Sequence, residues 1–509
     1  MSEGPKMEQG SHAEHLHAVE IFPVDLEKPS TSAYVADGGS SHHKPKAERA
    51  LVFKIDCLIV PLLALVYLMA YLDRNVIGNA NVLGLSKDLG LTTTQFANCL
   101  SMFFVGYIVF MLPGNLLTRP FTPQRTIGGS VIVFGAVVIG LSAAKNYATV
   151  LSLRVLIGLA QAVIQGQSVY TSTWYKRDEL ASRSAIIYCA ATISGAFGGL
   201  IAYGCGKTLT REATGMASWR WVLVIEGSIS VAVGIAVWLL LPPFPDKIGN
   251  TKKHWLFSAE EAELARSRSA TYNTPEFKLQ TKQLLATFKD PKTLGYALIM
   301  AAVAQGVNSI GQFLPTFIKV LGFSPVRAQL FTVIPYAFAS LSVVIAIASD
   351  RYNKRGVFLL GTIGMACVGY IVLLCDVSAA GKIAAASLCV TGLYPSVILL
   401  QTWVLTNVGG FTKRATTWAI AEVFGACFGI VGSHVYDKPP RFVKGHSVVL
   451  GMLAMAFVVV SIMIWFMRRA NLKRDTELQD YAARHEVHPH STKTLEDVQD
   501  FHVSFRYIL

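Results

Sequence analysis

Hydrophobic and polar positions come in long blocks along this chain rather than in short alternation. Apolar runs with few or no charges, each long enough to cross most of a bilayer as a helix, cover 54–80, 96–117, 126–144, 147–175, 184–206 and 218–241. A polar stretch over 242–292 interrupts them, and six more follow at 293–318, 328–349, 356–375, 383–411, 415–436 and 447–467. The pattern predicts an all-α polytopic membrane protein of twelve transmembrane helices in two six-helix halves. The expected divisions are a disordered tail over 1–48, a first half over 49–241, a linker over 242–292, a second half over 293–469 and a tail over 470–509. Within the linker, Ser258 followed by Glu261 makes a capping box that predicts a short helix from Ala259 to about Ser267.

Composition agrees with this reading. Of 509 residues, 52% are hydrophobic and only 15% charged, with a mean hydropathy of +0.44; a soluble chain of this length exposes more charge. The net charge of +13 implies no nucleic-acid partner, because the basic residues lie in tails and loops. In the short loops Lys and Arg divide almost evenly between the two sides. Lys44, Lys46, Arg49 and Lys54 before the first run, and Arg468, Arg469, Lys473 and Arg474 after the last, favour both termini on the cytoplasmic side. There is no signal-peptide pattern, so the first run is expected to act as its own insertion signal. Most of the eight cysteines fall in apolar stretches with no disulfide or zinc spacing. The tail histidines His12, His15 and His17 lack the order of a metal site. No enzyme signature was found: no HExxH, GxSxG or nucleotide-binding loop. No cofactor or metal is expected, and uphill movement must draw on an ion gradient or exchange.

Charges inside the runs are where chemistry is expected, since each costs on the order of 3 kcal/mol to insert. Asp73 and Arg74 interrupt the first run, and the uncharged residues 75–86 beyond them make a long segment for a simple helix exit. In the fourth run, Arg154, Gly158, Gln161, Gln165, Ser168 and Ser172 recur at helical spacing and share one face. That face lines a cavity or serves as interhelical hydrogen-bond glue. The need of Arg154 for a counter-charge, with Asp73 at comparable depth, favours the cavity. The seventh run offers Gln305, Asn308 and Gln312, and the tenth Tyr394, Gln401, Trp403 and Asn407. In the eleventh, Glu422 is a lone acid that either carries a proton or stays protonated and hydrogen-bonded. Glu226 reads as structural, bridging to Arg220 or a loop, and Gly195 with Gly199 reads as a close helix contact.

These residues resemble the major facilitator superfamily and, within it, the fungal allantoate permease family of anion:cation symporters. The resemblance runs from about Phe53 to Arg469. It rests on Lys54-Ile55-Asp56 with Pro61 and the Leu72-Asp73-Arg74 ending, on Trp219-Arg220-Trp221 with Glu226-Gly227, and on the linker sequences PPFPDK and HWLFSAEEAE. It rests also on Leu314-Pro315, Pro335-Tyr336, Gly392-Leu393-Tyr394-Pro395 and Thr412-Lys413-Arg414. The superfamily's cytoplasmic gate motif is kept in the second half, with Asp350, Arg351 and Arg355, and degraded in the first, where Thr118 replaces the usual acid.

The resemblance implies alternating access by two rocking halves and import of a small organic anion with a proton. It implies that Arg74 and Arg154 sit near substrate, joined as cavity candidates by Gln161, Gln165, Asn308, Gln312, Tyr394 and Gln401. It also implies that the first-span acid, here Asp73, carries the coupling proton together with a fourth-span glutamate. That second position is Gln161 here, which cannot titrate, so coupling falls on Asp73, moves to Glu422, or is absent. The expectation is a single-chain plasma-membrane importer whose tails are dispensable for flux. An uncoupled facilitator, a metabolite exporter and a non-transporting nutrient sensor are the alternatives.

Overall fold

With no water in the bilayer core, an apolar run satisfies its backbone only by closing hydrogen bonds on itself as a helix. The computed structural model describes residues 46–117, 121–175, 177–248, 256–272, 281–340, 342–409, 411–437, 439–484, 500, 502 and 505–509. Before the linker the spans are Lys46–Val82, Thr93–Leu117, Gln124–Leu141, a fourth built from Tyr147–Ala162, Val163–Gln165 and Gly166–Trp174, then Arg177–Thr208 and Ser218–Leu240. After it come Pro291–Lys319, an eighth span formed by Pro325–Ala339 and Ser342–Tyr352, then Arg355–Leu374, Ala379–Asn407, Phe411–His434 and Val443–Ala483. Among the described residues eleven helices are long and apolar enough to cross a membrane. The first piece of the eighth span ends at Ala339 with Ser340 as its cap, and residue 341 lies outside the described residues. The chain is therefore an all-α, multi-pass membrane protein.

Local signals set where helices begin. Asp290 caps the seventh span by accepting from the Lys292 amide, with Pro291 in the first turn. Asn146 and Ser378 cap the fourth and tenth in the same way. Glycines set where helices touch. A Cβ on Gly158 would lie 2.1 Å from the Phe103 carbonyl oxygen, so the fourth span presses directly on the second. Gly195 and Gly199 of the fifth span receive Tyr336 and Thr332 of the eighth, the close contact their spacing predicts.

The first six spans meet the last six chiefly where the fifth faces the eighth, the second faces the eleventh and the first faces the seventh. We call the side where the first span starts and the twelfth ends the terminal side, and its opposite the far side.

The linker forms its capping box as expected: Glu261 accepts from the Ser258 amide at 2.9 Å, and Ser258 Oγ from the Glu261 amide at 3.2 Å. Its helix is longer than the spacing predicts, Ala259–Tyr272. It is also fastened to the first span by Lys54–Glu261 at 2.7 Å. The Lys54 hydrogen bond, helped by the Ser258 amide, holds the Glu261 carboxyl below its usual range.

Two further differences concern the ends. The first helix begins at Lys46, inside the residues expected to be tail, while 1–45 lie outside the described residues, as do most of those between Ala483 and Phe505. The twelfth helix runs on to Ala483, past the expected boundary at 469, and Asp500 with Phe505–Leu509 folds back onto the terminal side. Ile508 exchanges hydrogen bonds with the Asn407 side chain at 2.7 and 2.8 Å and accepts from Trp403 Nε1 at 2.8 Å. Asn471 pairs with the Tyr507 backbone, and Arg474 donates to Phe505 and Asp500 carbonyls. Trp403 and Asn407, which the tenth run offers beside Tyr394 and Gln401, hold Ile508.

Candidate functional site

On the first span Tyr67, Tyr71 and Arg74 follow at steps of four and three, so they share a face. That face looks into a cavity bounded by the first, second, fourth, fifth, seventh, tenth and eleventh spans. The empty space among its lining atoms is about 540 Å3, counting the part open to solvent. Arg74 lies against three aromatic rings, 4.8 Å from Tyr71, 4.9 Å from Phe103 and 5.4 Å from Tyr107. A planar guanidinium stacks on such faces and keeps its N–H fork for a ligand. Its Nε is buried with no hydrogen-bond partner among the described residues.

Three other expected site residues share this cavity. Gln165 donates to Tyr107 Oη, Asn308 comes from the seventh span and Glu422 from the eleventh. The fourth span tightens into a 3-10 turn at Val163–Gln165, which delivers Gln165 to the wall out of step with a regular α-helix.

Arg154 and Asp73 lie behind that wall. Arg154 is fully buried, donates from Nε to the Cys99 carbonyl at 3.3 Å and sits 5.2 Å from the Phe103 ring. Both arginines therefore lie against the Phe103 ring. The Nη atoms of Arg154 have no partner among the described residues. Asp73 points away to the sixth span, where Ser230 Oγ donates to it at 2.9 Å, and forms no ion pair with Arg154 among the described residues. Gln161 spends its amide on the Ala70 carbonyl at 3.1 Å, tying the fourth span to the first.

The remaining expected residues are spread wider. Gln312 is buried between the seventh and eleventh spans and accepts from Ser433 at 3.4 Å. Tyr394 packs edge-on against Tyr336. Gln401 reaches the cavity only through Tyr188, to whose hydroxyl it donates at 3.1 Å. Of the gate motif, Arg355 donates to the Thr402 carbonyl at 3.2 Å, Arg351 is exposed, and the Asp350 side chain lies outside the described residues, as do those of Ser168 and Ser172 and all of Thr118. Glu226 does not bridge to Arg220. That arginine donates to the Ser142 and Ala144 carbonyls, while both Glu226 carboxylate oxygens are buried without a partner among the described residues.

Sequence reasoning missed the aromatic cage and the far-side latch. Tyr67, Tyr71, Tyr107 and Tyr188 supply much of the polar edge of the cavity, and the step from Tyr67 to Arg74 was the signal for it. On the far side, His434 of the eleventh span reaches Asn98 at 3.1 Å and Ser101 at 3.2 Å on the second. Gln329 donates to the Asn79 carbonyl at 3.1 Å, joining the eighth span to the first. On the terminal side, among the described residues, each ion pair stays within the first six spans and linker or within the last six and the C-terminal segment. The arrangement is latched at the far side.

Comparison with known proteins matches this geometry. The family model described as Major Facilitator Superfamily matches residues 63–433. A high-affinity nicotinic acid transporter of Saccharomyces cerevisiae is 33% identical over 447 residues, covering 86% of this chain and 81% of that protein. An MFS transporter of a fungal species, strain NRRL 50135, is 31% identical over 471 residues, 88% of this chain and 92% of that one. Among solved structures, a D-xylose-proton symporter superposes with a TM-score of 0.63 at 14% identity, over 80% of this chain and 97% of that chain, which is a likeness of fold. With twelve spans about a central cavity and a family model matched across most of them, this chain is a multi-pass membrane transporter that belongs to the Major Facilitator Superfamily.

Proposed function

We propose that the chain imports a small organic anion, a carboxylate or vitamin-like acid, with a proton across the plasma membrane, as a single chain with both termini in the cytoplasm. The observation that carries this reading is Arg74: a cation stacked among three rings in a cavity lined by both sets of spans, with buried hydrogen-bonding capacity to spare. A carboxylate gains charge-assisted, two-pronged hydrogen bonds from such a group. The resemblance to the nicotinic acid transporter supports the same substrate class.

Coupling follows from the company Arg74 keeps. Glu422 lines the same cavity from the other set of six spans. When ionised it competes with the substrate carboxylate for Arg74; when it takes a proton it leaves Arg74 to the anion and adds none of its own charge. Anion and proton then bind together, and release to the terminal side follows when the cavity exchanges sides. Arg154 supports the wall from beside Phe103, and Asp73 ties the first span to Ser230 of the sixth. Gln161 in place of an acid favours a second reading, an uncoupled facilitator or exporter.

The test is uptake by cells expressing the chain of labelled nicotinate and other small carboxylates, beside nicotinamide as a neutral match. Saturable entry of an acid but not the amide, faster at pH 5 than at pH 7.5 and abolished by a protonophore, is expected. Carboxylate entry indifferent to pH and protonophore would refute coupling. Entry of amide and acid alike would refute the anion reading, and no entry of either would turn attention to export or sensing.

A further inference from the structure

The polar segments after the sixth and twelfth spans share no sequence pattern, yet each returns to the same two helices of its own set. After the sixth span, Arg268 of the linker helix donates to Glu48 at the start of the first span, 2.9 Å, and to Glu179 at the start of the fifth, 2.7 Å. After the twelfth, Asp500 accepts from Lys413 at the start of the eleventh, 2.6 Å, and from Lys292 at the start of the seventh. The seventh and eleventh spans are the first and fifth of the second set. In both sets a single buried charge from the following segment ties the first helix to the fifth, and the sign is reversed between them.

The second cluster is the more deeply buried. Asp500 and Lys413 are 0% and 1% exposed, and Lys292 is 8%. Asp290 pairs with Lys413 at 2.7 Å and with Lys292 at 3.5 Å, so two lysines face two aspartates. Tyr507 closes it, accepting from Lys292 and donating to Asp500, both at 2.9 Å. Removing Asp500 leaves a positive charge in excess out of water, which a buried cluster tolerates badly.

We propose that Asp500 is a positioning residue: it fixes the terminal-side ends of the seventh and eleventh spans as one wall of the cavity, as Arg268 fixes the first and fifth on the other side. The seventh span carries Asn308 to that cavity, and the eleventh carries Glu422 nine residues beyond Lys413. The segment after the last span is then a working part of the transporter. This rests on the cavity reading above for its effect on substrate, but not for the pin itself.

The test is hydrogen–deuterium exchange on the purified full-length protein, beside uptake normalised to surface protein. Asp500→Ala is expected to raise exchange about tenfold or more at 291–296 and 413–418, leaving 46–54 and 177–183 within about twofold. Arg268→Ala is expected to give the reverse pattern, and Asp500→Glu to restore the wild-type one. In uptake, Asp500→Ala should raise KM about five- to tenfold with kcat within about twofold, because a misplaced wall weakens substrate contacts. Should Asp500→Ala fail to accumulate, Lys413→Met combined with Asp500→Ala removes the excess charge, so it should accumulate and still show raised exchange at 291–296 and 413–418. Exchange rising equally at all four ends, or at neither partner end, would overturn the pin. Loosened ends with an unchanged KM would overturn positioning. If the wild type carries no carboxylate, the transport reading fails while the exchange pattern still decides the pin.

Discussion

The far-side latch makes a quantitative prediction, because one side chain, His434, makes two of the hydrogen bonds that cross between the two sets of spans. His434 reaches Asn98 at 3.1 Å and Ser101 at 3.2 Å, and its Nδ1 also lies 3.1 Å from the Ile430 carbonyl of its own helix. His434→Ala removes the two crossing bonds and keeps the helix. Partly solvated hydrogen bonds of this kind contribute about 0.5–1 kcal/mol each, so His434 stabilises the far-side-closed state by about 1–2 kcal/mol. That corresponds to a shift of roughly 5- to 30-fold toward the far-side-open state. Two readouts test it. Labelling of Ala304→Cys, a cavity position, by a membrane-impermeant thiol reagent from the far side should rise by that factor over the parent. KM for uptake should fall, because apparent affinity rises with the fraction of molecules able to bind, while kcat falls or holds. Labelling and KM both within twofold of the parent would refute the latch.

Other consequences are separable from this one. Glu422→Gln is neutral at every pH, so its KM at pH 7.5 should match the wild type's acid value and lose its pH dependence; a retained acid optimum would move coupling elsewhere, Asp73 first. Gly158→Leu must displace the Phe103 backbone 2.1 Å from its new Cβ, an overpacking that costs about 1–3 kcal/mol or more. Gly140→Ala, with no atom within 4 Å, should leave the Tm of the purified protein unchanged or slightly raised, and equal effects at the two sites would contradict the packing described. Burial alone would raise the Asp500 carboxyl, but the fields of Lys292 and Lys413 outweigh it and lower it from 3.8 to about 2. A carboxyl lowered by folding contributes stability above its unfolded value and loses it as pH falls through the folded one. The Tm difference between wild type and Asp500→Asn should therefore be level from pH 5 to 8 and shrink only from about pH 4 toward 2.

The spans were legible because burial in lipid imposes one rule on every residue of a run, and periodicity reports it directly. Ser258 with Glu261 was equally local and caps as read, and Asp290-Pro291 is a local signal of the same kind that went unread. The cavity was legible only in part. The step from Arg154 to Gln165 defines a face, but not how deep each residue lies, and the 3-10 turn at Val163 separates the two: Gln165 reaches the cavity and Arg154 stops behind Phe103. Asp73 and Arg74 are neighbours in sequence, so on a helix they point apart, one to Ser230 and one to the cavity. Asp500 lies 208 residues from Lys292 in a segment without periodic pattern, and no local signal could have joined them.

The central claim is that Arg74 receives the substrate's carboxylate, and binding to the purified protein tests it without assumptions about coupling. Labelled nicotinate would be titrated at pH 5 against wild type, Arg74→Ala and Gln312→Ala. Loss of two charge-assisted hydrogen bonds at about 1.5–3 kcal/mol each predicts that Arg74→Ala weakens binding at least 100-fold. Gln312→Ala, outside the cavity, should stay within about threefold of wild type, as expected for a residue that makes no contact with the bound anion. Arg74→Ala binding as tightly as wild type would contradict the account.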